Sequence, residues 1–250
     1  GTFVSPQHVR TLVTAADRQG RPWMELAPEP FAESYLRGPF GFRHRLDQHP
    51  LFTLDALFAL CRRMPEADVK LRFGPIPATA EFDTSLDRFR QGLTLDDALA
   101  NFEARRAYIA IYNPEQDAAY EPVIEGLLGE IARRVEPLDP GVNWYSSYVF
   151  VSTQGSVTPY HMDREMNFLM QVRGRKTVRL WDPTDPQIMT APQKDKLMGN
   201  RDEQRPTYRP EFEAKARIFE LGAGDGVHHP FIAPHLVTTD SALSVTLAIT

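Results

Sequence analysis

With 250 residues, 42% of them hydrophobic and 24% charged, the chain has an ordinary globular composition, with room for one generous domain or two small ones. A net charge of −5 offers no basic face for nucleic acid or an anionic membrane, and no apolar run approaches the length of a bilayer span. The single cysteine excludes an internal disulfide and any Cys-based zinc cluster. The first residues lack the charged-then-apolar pattern of a signal peptide, so a reducing, cytoplasmic setting is expected.

Residues 1–140 read as an α/β extension. In "LFTLDALFALCRRM" the apolar residues recur at helical spacing, with Thr53 as N-cap, Asp55 in the first turn and Pro65 ending the helix. Cys61 falls within this helix and is expected to pack as a small hydrophobe. "ADVKLRFG" and "RAYIAIYN" alternate as short strands. Thr94 and Asp97 form a capping pair for "LDDALANFEARR". Along "DAAYEPVIEGLLGEIARRV", Ala119, Val123, Leu127, Ile131 and Val135 make an i, i+4 stripe that must pack on something. "EPLDPG" (136–141) is the expected seam.

From Trp144 the pattern changes. "YVFVS", "NFLMQV", "KTVRLW", "RIFELG" and "LSVTLAIT" are short runs rich in β-branched and aromatic residues, separated by turn signals at Gln154-Gly155, Arg173-Gly174 and Gly222-Ala223-Gly224. Such a series predicts a mainly β, antiparallel jelly roll over residues 141–250. Met162, Met166 and Met170 share a helical spacing, but Phe168, Leu169 and the Arg-Gly turn favour strand. A proline-rich polar insert at about 183–216 is expected to be a lid, a binding loop or disordered.

The chemistry concentrates in this half. His161 and Asp163 are two apart, so on a strand they share a face, as two ligands of one metal should. Alone the pair is a weak signal, because among seven histidines a surface His beside an acid is common. "GDGVHHPFIAPH" adds a Gly-Asp turn, a strand and a Pro-containing turn that would return His235 across a small barrel. Two His and one carboxylate with no Cys nearby form the ligand set of non-haem Fe(II). Lys176 shares strand parity with Val178 and Leu180 and therefore faces the interior, where an ammonium needs an anion. No acidic residue in nearby strands is an obvious partner, so a bound dicarboxylate fits. Thr158 stands close enough in sequence to His161 to offer that carboxylate a hydroxyl. Adjacent strand residues face opposite sides, so at most one of His228 and His229 points inward. Arg173, Arg175 and Arg179 read as the solvated edge of a hairpin. Tyr160 and Trp181 fit either a substrate mouth or a core.

These residues resemble the JmjC family of 2-oxoglutarate-dependent oxygenases, within the cupin superfamily, over about residues 144–250. "GSVTPYHMDREMNFLMQVRGRKTVRLWDP" is most similar to its asparaginyl-hydroxylase branch. The resemblance implies a double-stranded β-helix and an oxygenase that uses Fe(II), 2-oxoglutarate and O2. It makes His161, Asp163 and His235 the iron triad. Lys176 would hold the distal carboxylate of 2-oxoglutarate with Thr158, and Asn167 would place an amide near the cosubstrate. Tyr148 and Phe150 would line the pocket, the Tyr148 phenol reaching the distal carboxylate. Pro234 stands where an aromatic is frequent in the family, and Ala248 where that branch has a second Asn. The implied reaction is hydroxylation of a peptide or protein side chain, with a small natural product or metabolite as the alternative substrate. Neither nucleic acid nor membrane is implied as a partner, and a homodimer is left open. A non-enzymatic ligand-binding cupin, or a cupin enzyme using its metal without 2-oxoglutarate, are the competing readings. Lys176 discriminates among them.

Overall fold

The chain folds as its period-two runs require. The computed structural model describes residues 2–3, 19–35, 37–74, 95–140, 144–163, 165–199 and 207–250. Its strands are β1 (Thr2–Phe3), β2 (Met24–Glu25), β3 (Phe40–His44), β4 (Val69–Phe73), β5 (Ala107–Tyr112), β6 (Trp144–Tyr145) and β7 (Ser147–Thr153). There follow β8 (Val157–His161), β9 (Asn167–Arg173), β10 (Lys176–Leu180), β11 (Arg217–Leu221), β12 (Asp225–His229), β13 (His235–Thr239) and β14 (Leu243–Ile249).

The last eight strands make the jelly roll. β11-β10-β13-β8 form a minor sheet, and β12-β9-β14-β7 form the centre of a major one. All the pairings within both are antiparallel. The first half of the chain extends the major sheet at both edges, β3 and β2 beyond β12, and β5 and β4 beyond β7. Gly174 turns β9 into β10 and so joins the two sheets. It has φ +73°, and a Cβ there would lie 2.0 Å from the Leu243 carbonyl oxygen, so only glycine fits.

Two apolar layers fix the sheets. The face of the major sheet away from the barrel packs on the helices Leu54–Arg63 and Glu121–Val135. Thr53 caps the first through a 3.3 Å bond from the Ala56 amide, and Cys61 is buried on it, both as its spacing predicts. In the second, Val123, Leu127, Ile131 and Val135 are buried, but the stripe begins one turn later than expected. Ala119 precedes the helix and is exposed, because Pro122 sits in the first turn, and Tyr120 fills the core instead. Thr94 and the Asp97 side chain lie outside the described residues.

The second layer covers the outer face of the minor sheet. Tyr160, Trp181, Ile232 and Leu236 meet Ile188, Met189, Leu197 and Phe212 from the 183–216 insert. The Trp181 indole N–H donates to the Phe212 carbonyl at 2.6 Å. The described part of the insert, including the helix Ala191–Gly199, is thus a buttress, and none of it lines the cavity described below. Its polar composition hid this role, since the few apolar residues are the ones that pack. Tyr160 and Trp181 are core residues, not a mouth.

Candidate metal centre

The jelly roll encloses a cavity of about 220 Å³ between the two sheets. Its walls include Thr158, His161, Lys176 and His235 from the minor sheet and Tyr148, Phe150, Asn167 and His229 from the major one. Asp163 also reaches it.

At one end, β8 and β13 pair with His161 directly opposite His235. Each imidazole turns its Nδ1 to a main-chain carbonyl two residues back, Pro159 at 2.7 Å and Ala233 at 2.9 Å. With Nδ1–H donating to these oxygens, each ring presents its Nε2 lone pair to the cavity. Asp163 Oδ2 lies 3.6 Å from Nε2 of His161 and 3.5 Å from Nε2 of His235. One ligand atom from each of the three residues falls within 4.8 Å of the others. Neighbouring donor atoms around a first-row divalent ion stand about 3 Å apart, so the three fit a shared cation without rearrangement of the backbone.

Asp163 arrives there by a different route from the one its sequence position suggests. β8 stops at His161, so strand parity does not aim the carboxylate. A turn does. The Ile232 N–H donates to the Asp163 carbonyl at 3.0 Å, tying the loop after β8 to the turn before β13. Ile232 holds φ +53°, a left-handed conformation that is costly for a β-branched residue. The strained turn thus positions Asp163 and His235 together.

Lys176 begins β10 and lies opposite Thr239, whereas Leu180 of the same strand lies opposite His235. Those four residues separate Lys176 from the triad by about 13 Å of strand. Lys176 is 3% exposed, and its ammonium faces the Phe150 ring at 5.7 Å and has no carboxylate partner among the described residues. Burial, then the nearby Arg72 guanidinium, push its pKa down to about 7. Thr158 lines the same wall, with its hydroxyl against the Tyr108 phenol.

Arg72 is the functional group that the alternation of "ADVKLRFG" concealed. Val69, Leu71 and Phe73 share one face of β4, which left Arg72 on an apparent solvent face. Because β4 extends the sheet over the barrel, both faces are covered and Arg72 is 1% exposed. Its Nη2 donates to the Val157 carbonyl at 2.7 Å, its plane covers the Tyr108 ring at 4.0 Å, and its Nη1 finds no partner among the described residues. Two buried cations therefore back one end of the cavity.

The major-sheet residues that line the cavity itself are mostly aromatic or uncharged. Tyr148 stacks on Phe150 at 6.1 Å and meets Tyr112 edge-on at 5.2 Å. The Tyr148 phenol turns to the Ser146 and Thr250 hydroxyls, not to Lys176, so it does not take the expected place at a distal carboxylate. Burial, above all, holds its pKa above the usual phenol value. Asn167 is buried, and its Oδ1 has no partner among the described residues. His228 faces away from the cavity, against Phe40 and Phe168, while His229 faces in.

A family model described as Cupin-like domain matches residues 74–249. The chain belongs to the cupin-like domain family. Among solved structures, this cupin-like chain is similar to E. coli ycfD at 16% identity and a TM-score of 0.52, covering 90% of this chain and 52% of that one. It also matches the formate complex of Lactobacillus farciminis oxalate decarboxylase (15% identity, TM-score 0.29, 42% of this chain and 23% of that one). The oxalate decarboxylase from Bacillus subtilis at pH 4.6 matches at 17% identity and a TM-score of 0.29, over 42% of this chain and 20% of that one. The cupin-like chain thus spans about half or less of the length of these proteins. No curated protein matches the sequence. Among the described residues, no helix is long and apolar enough to cross a membrane.

Proposed function

We propose that this cupin-like protein is an Fe(II)- and 2-oxoglutarate-dependent oxygenase that hydroxylates a side chain of a peptide or protein. The observation that carries the reading is the pairing, in one cavity, of a convergent two-His, one-carboxylate set with a buried lysine that has no carboxylate partner among the described residues. Two His and one carboxylate that leave positions open suit non-haem iron. A cupin that used its metal without an oxo acid would have no need of an ammonium at the far end.

When bound, Fe(II) supplies the oxidative decarboxylation of 2-oxoglutarate with O2, giving succinate and CO2, and the oxidation of a nearby C–H bond. The chain's own residues do the holding. His161 and His235 are kept in the ligating tautomer by the Pro159 and Ala233 carbonyls, and Asp163 contributes the negative charge. Lys176 holds the distal carboxylate by a charge-assisted hydrogen bond, with Thr158 beside it. Phe150 and Leu169 keep water from that end of the cavity.

The cavity falls below the roughly 300–1,000 Å³ typical of drug-sized ligand sites. A five-carbon diacid fills such a space, so the molecule to be oxidised must approach from the mouth, where Asp163, Glu165 and Thr250 stand. A protruding peptide side chain meets that requirement, in keeping with the resemblance to the asparaginyl-hydroxylase branch. The test is succinate formation by purified protein with Fe(II), ascorbate, 2-oxoglutarate and air. Succinate from wild type and none from Asp163→Ala supports the reading; no succinate from wild type, with or without candidate peptides, refutes it.

A further inference from the structure

His229 has no place in the triad or at the lysine end, yet it is one of the most deeply buried polar groups in the molecule. It is 2% exposed, lines the cavity, and has no hydrogen-bond partner on either ring nitrogen among the described residues. Its ring lies 4.6 Å from that of His235, so it belongs to the metal end of the cavity. It is not one of the three residues whose ligand atoms converge. Across the ladder its direct partner is Asn167, whose Oδ1 is likewise buried and unpartnered. Opposite residues of an antiparallel pair share a face, so two unsatisfied polar groups stand side by side on the major-sheet wall, facing the triad.

A buried imidazole left without a partner is destabilising, and an aliphatic residue of similar volume would avoid that cost. Neighbours on the same wall show the aliphatic solution at work: Leu169 and Ala248 line the cavity and carry no polar atom. An imidazole at this position makes sense only if something entering the cavity completes it. Resting on the oxygenase reading above, we infer that His229 is a ligand-binding residue that donates a hydrogen bond to the triad-side carboxylate of the 2-oxo acid, with Asn167 beside it. The cavity then grips a diacid at both ends, through Lys176 at the distal carboxylate and through His229 at the carboxylate next to the 2-oxo group.

The experiment titrates Fe(II)-loaded protein anaerobically by calorimetry with two probes, 2-oxoglutarate and oxalate, in wild type, His229→Leu and His229→Gln. Metal affinity and the melting temperature of the ligand-free protein are read in parallel. The inference predicts that His229→Leu binds either carboxylate about tenfold more weakly, that His229→Gln retains most of the affinity, and that iron affinity does not change. Ligand-free His229→Leu should melt no lower than wild type, because the substitution removes an unpaired polar group from the interior. Unchanged carboxylate affinity in His229→Leu, with a lower melting temperature, would make the histidine structural and overturn the inference. A parallel loss of iron affinity would make it a metal ligand and overturn it too. Wild-type binding of oxalate without 2-oxoglutarate would refute the oxygenase reading alone, leaving the oxalate ratio to decide His229. Binding of neither would refute both.

Discussion

The two sheets face each other across one cavity and bring opposite chemistry to it. The minor sheet carries the charged and metal-seeking groups, His161, His235 and Lys176, each set by the register of β8, β13 and β10. The major sheet brings aromatic rings and two uncharged polar groups, Tyr148, Phe150, Asn167 and His229. The residues that line the cavity from the minor sheet hold charge, those from the major sheet shape it, and Arg72 of β4 adds a second cation behind Lys176. Each sheet is also backed differently: the minor sheet is buttressed from outside by the insert, and the major sheet by two helices.

The sharpest way to break this division is at the minor-sheet end. Asp163→Ala removes the only carboxylate of the convergent set, and iron affinity should fall by about a hundredfold or more, measured by competition with a chelator. Next comes the connection between the sheets. Gly174→Ala forces a left-handed alanine against the Leu243 carbonyl and should cost about 2 kcal/mol or more in urea unfolding, with ligand-free and loaded protein affected alike.

Smaller effects sharpen the picture of the cationic end. In the empty cavity Lys176 titrates near 7, below its ordinary value, because burial and then Arg72 disfavour the charged form. A bound carboxylate favours the ammonium and raises that value. Below pH about 7 the ammonium is already present and 2-oxoglutarate affinity should be flat; above it a proton must be taken up with the anion, and affinity should weaken by about tenfold per pH unit. Affinity that stays constant from about pH 6 to 9 would contradict this. Arg72→Met removes the neighbouring charge, so the pH at which affinity begins to fall should move upward, the smallest of these effects, visible as a displaced calorimetric pH profile.

The barrel was legible because its strands announce themselves locally. Alternating β-branched runs and Gly-containing turns at Gly155, Gly174 and Gly224, all with positive φ, need no tertiary information to be read. Lys176 was legible by the same parity argument. What escaped depended on partners distant in sequence. Arg72 is buried only because β4 extends a sheet whose centre lies in the other half of the chain. The Asp163 carboxylate is aimed by the turn at Ile232, far along the chain, not by the strand it follows. The insert reads as a polar loop, and only its packing against Trp181 and Tyr160 shows which of its residues matter. For His229, alternation said only that at most one of two histidines faces inward; which one follows from the pairing of β12 with β9.

The central claim is that one small diacid spans the cavity from triad to lysine. Its most direct test is an anaerobic titration of Fe(II)-loaded wild type and Lys176→Met with 2-oxoglutarate. The account predicts saturable binding in wild type, a loss of about ten- to hundredfold in Lys176→Met, and equal iron affinity in both. Equal 2-oxoglutarate affinity in the two proteins would contradict it.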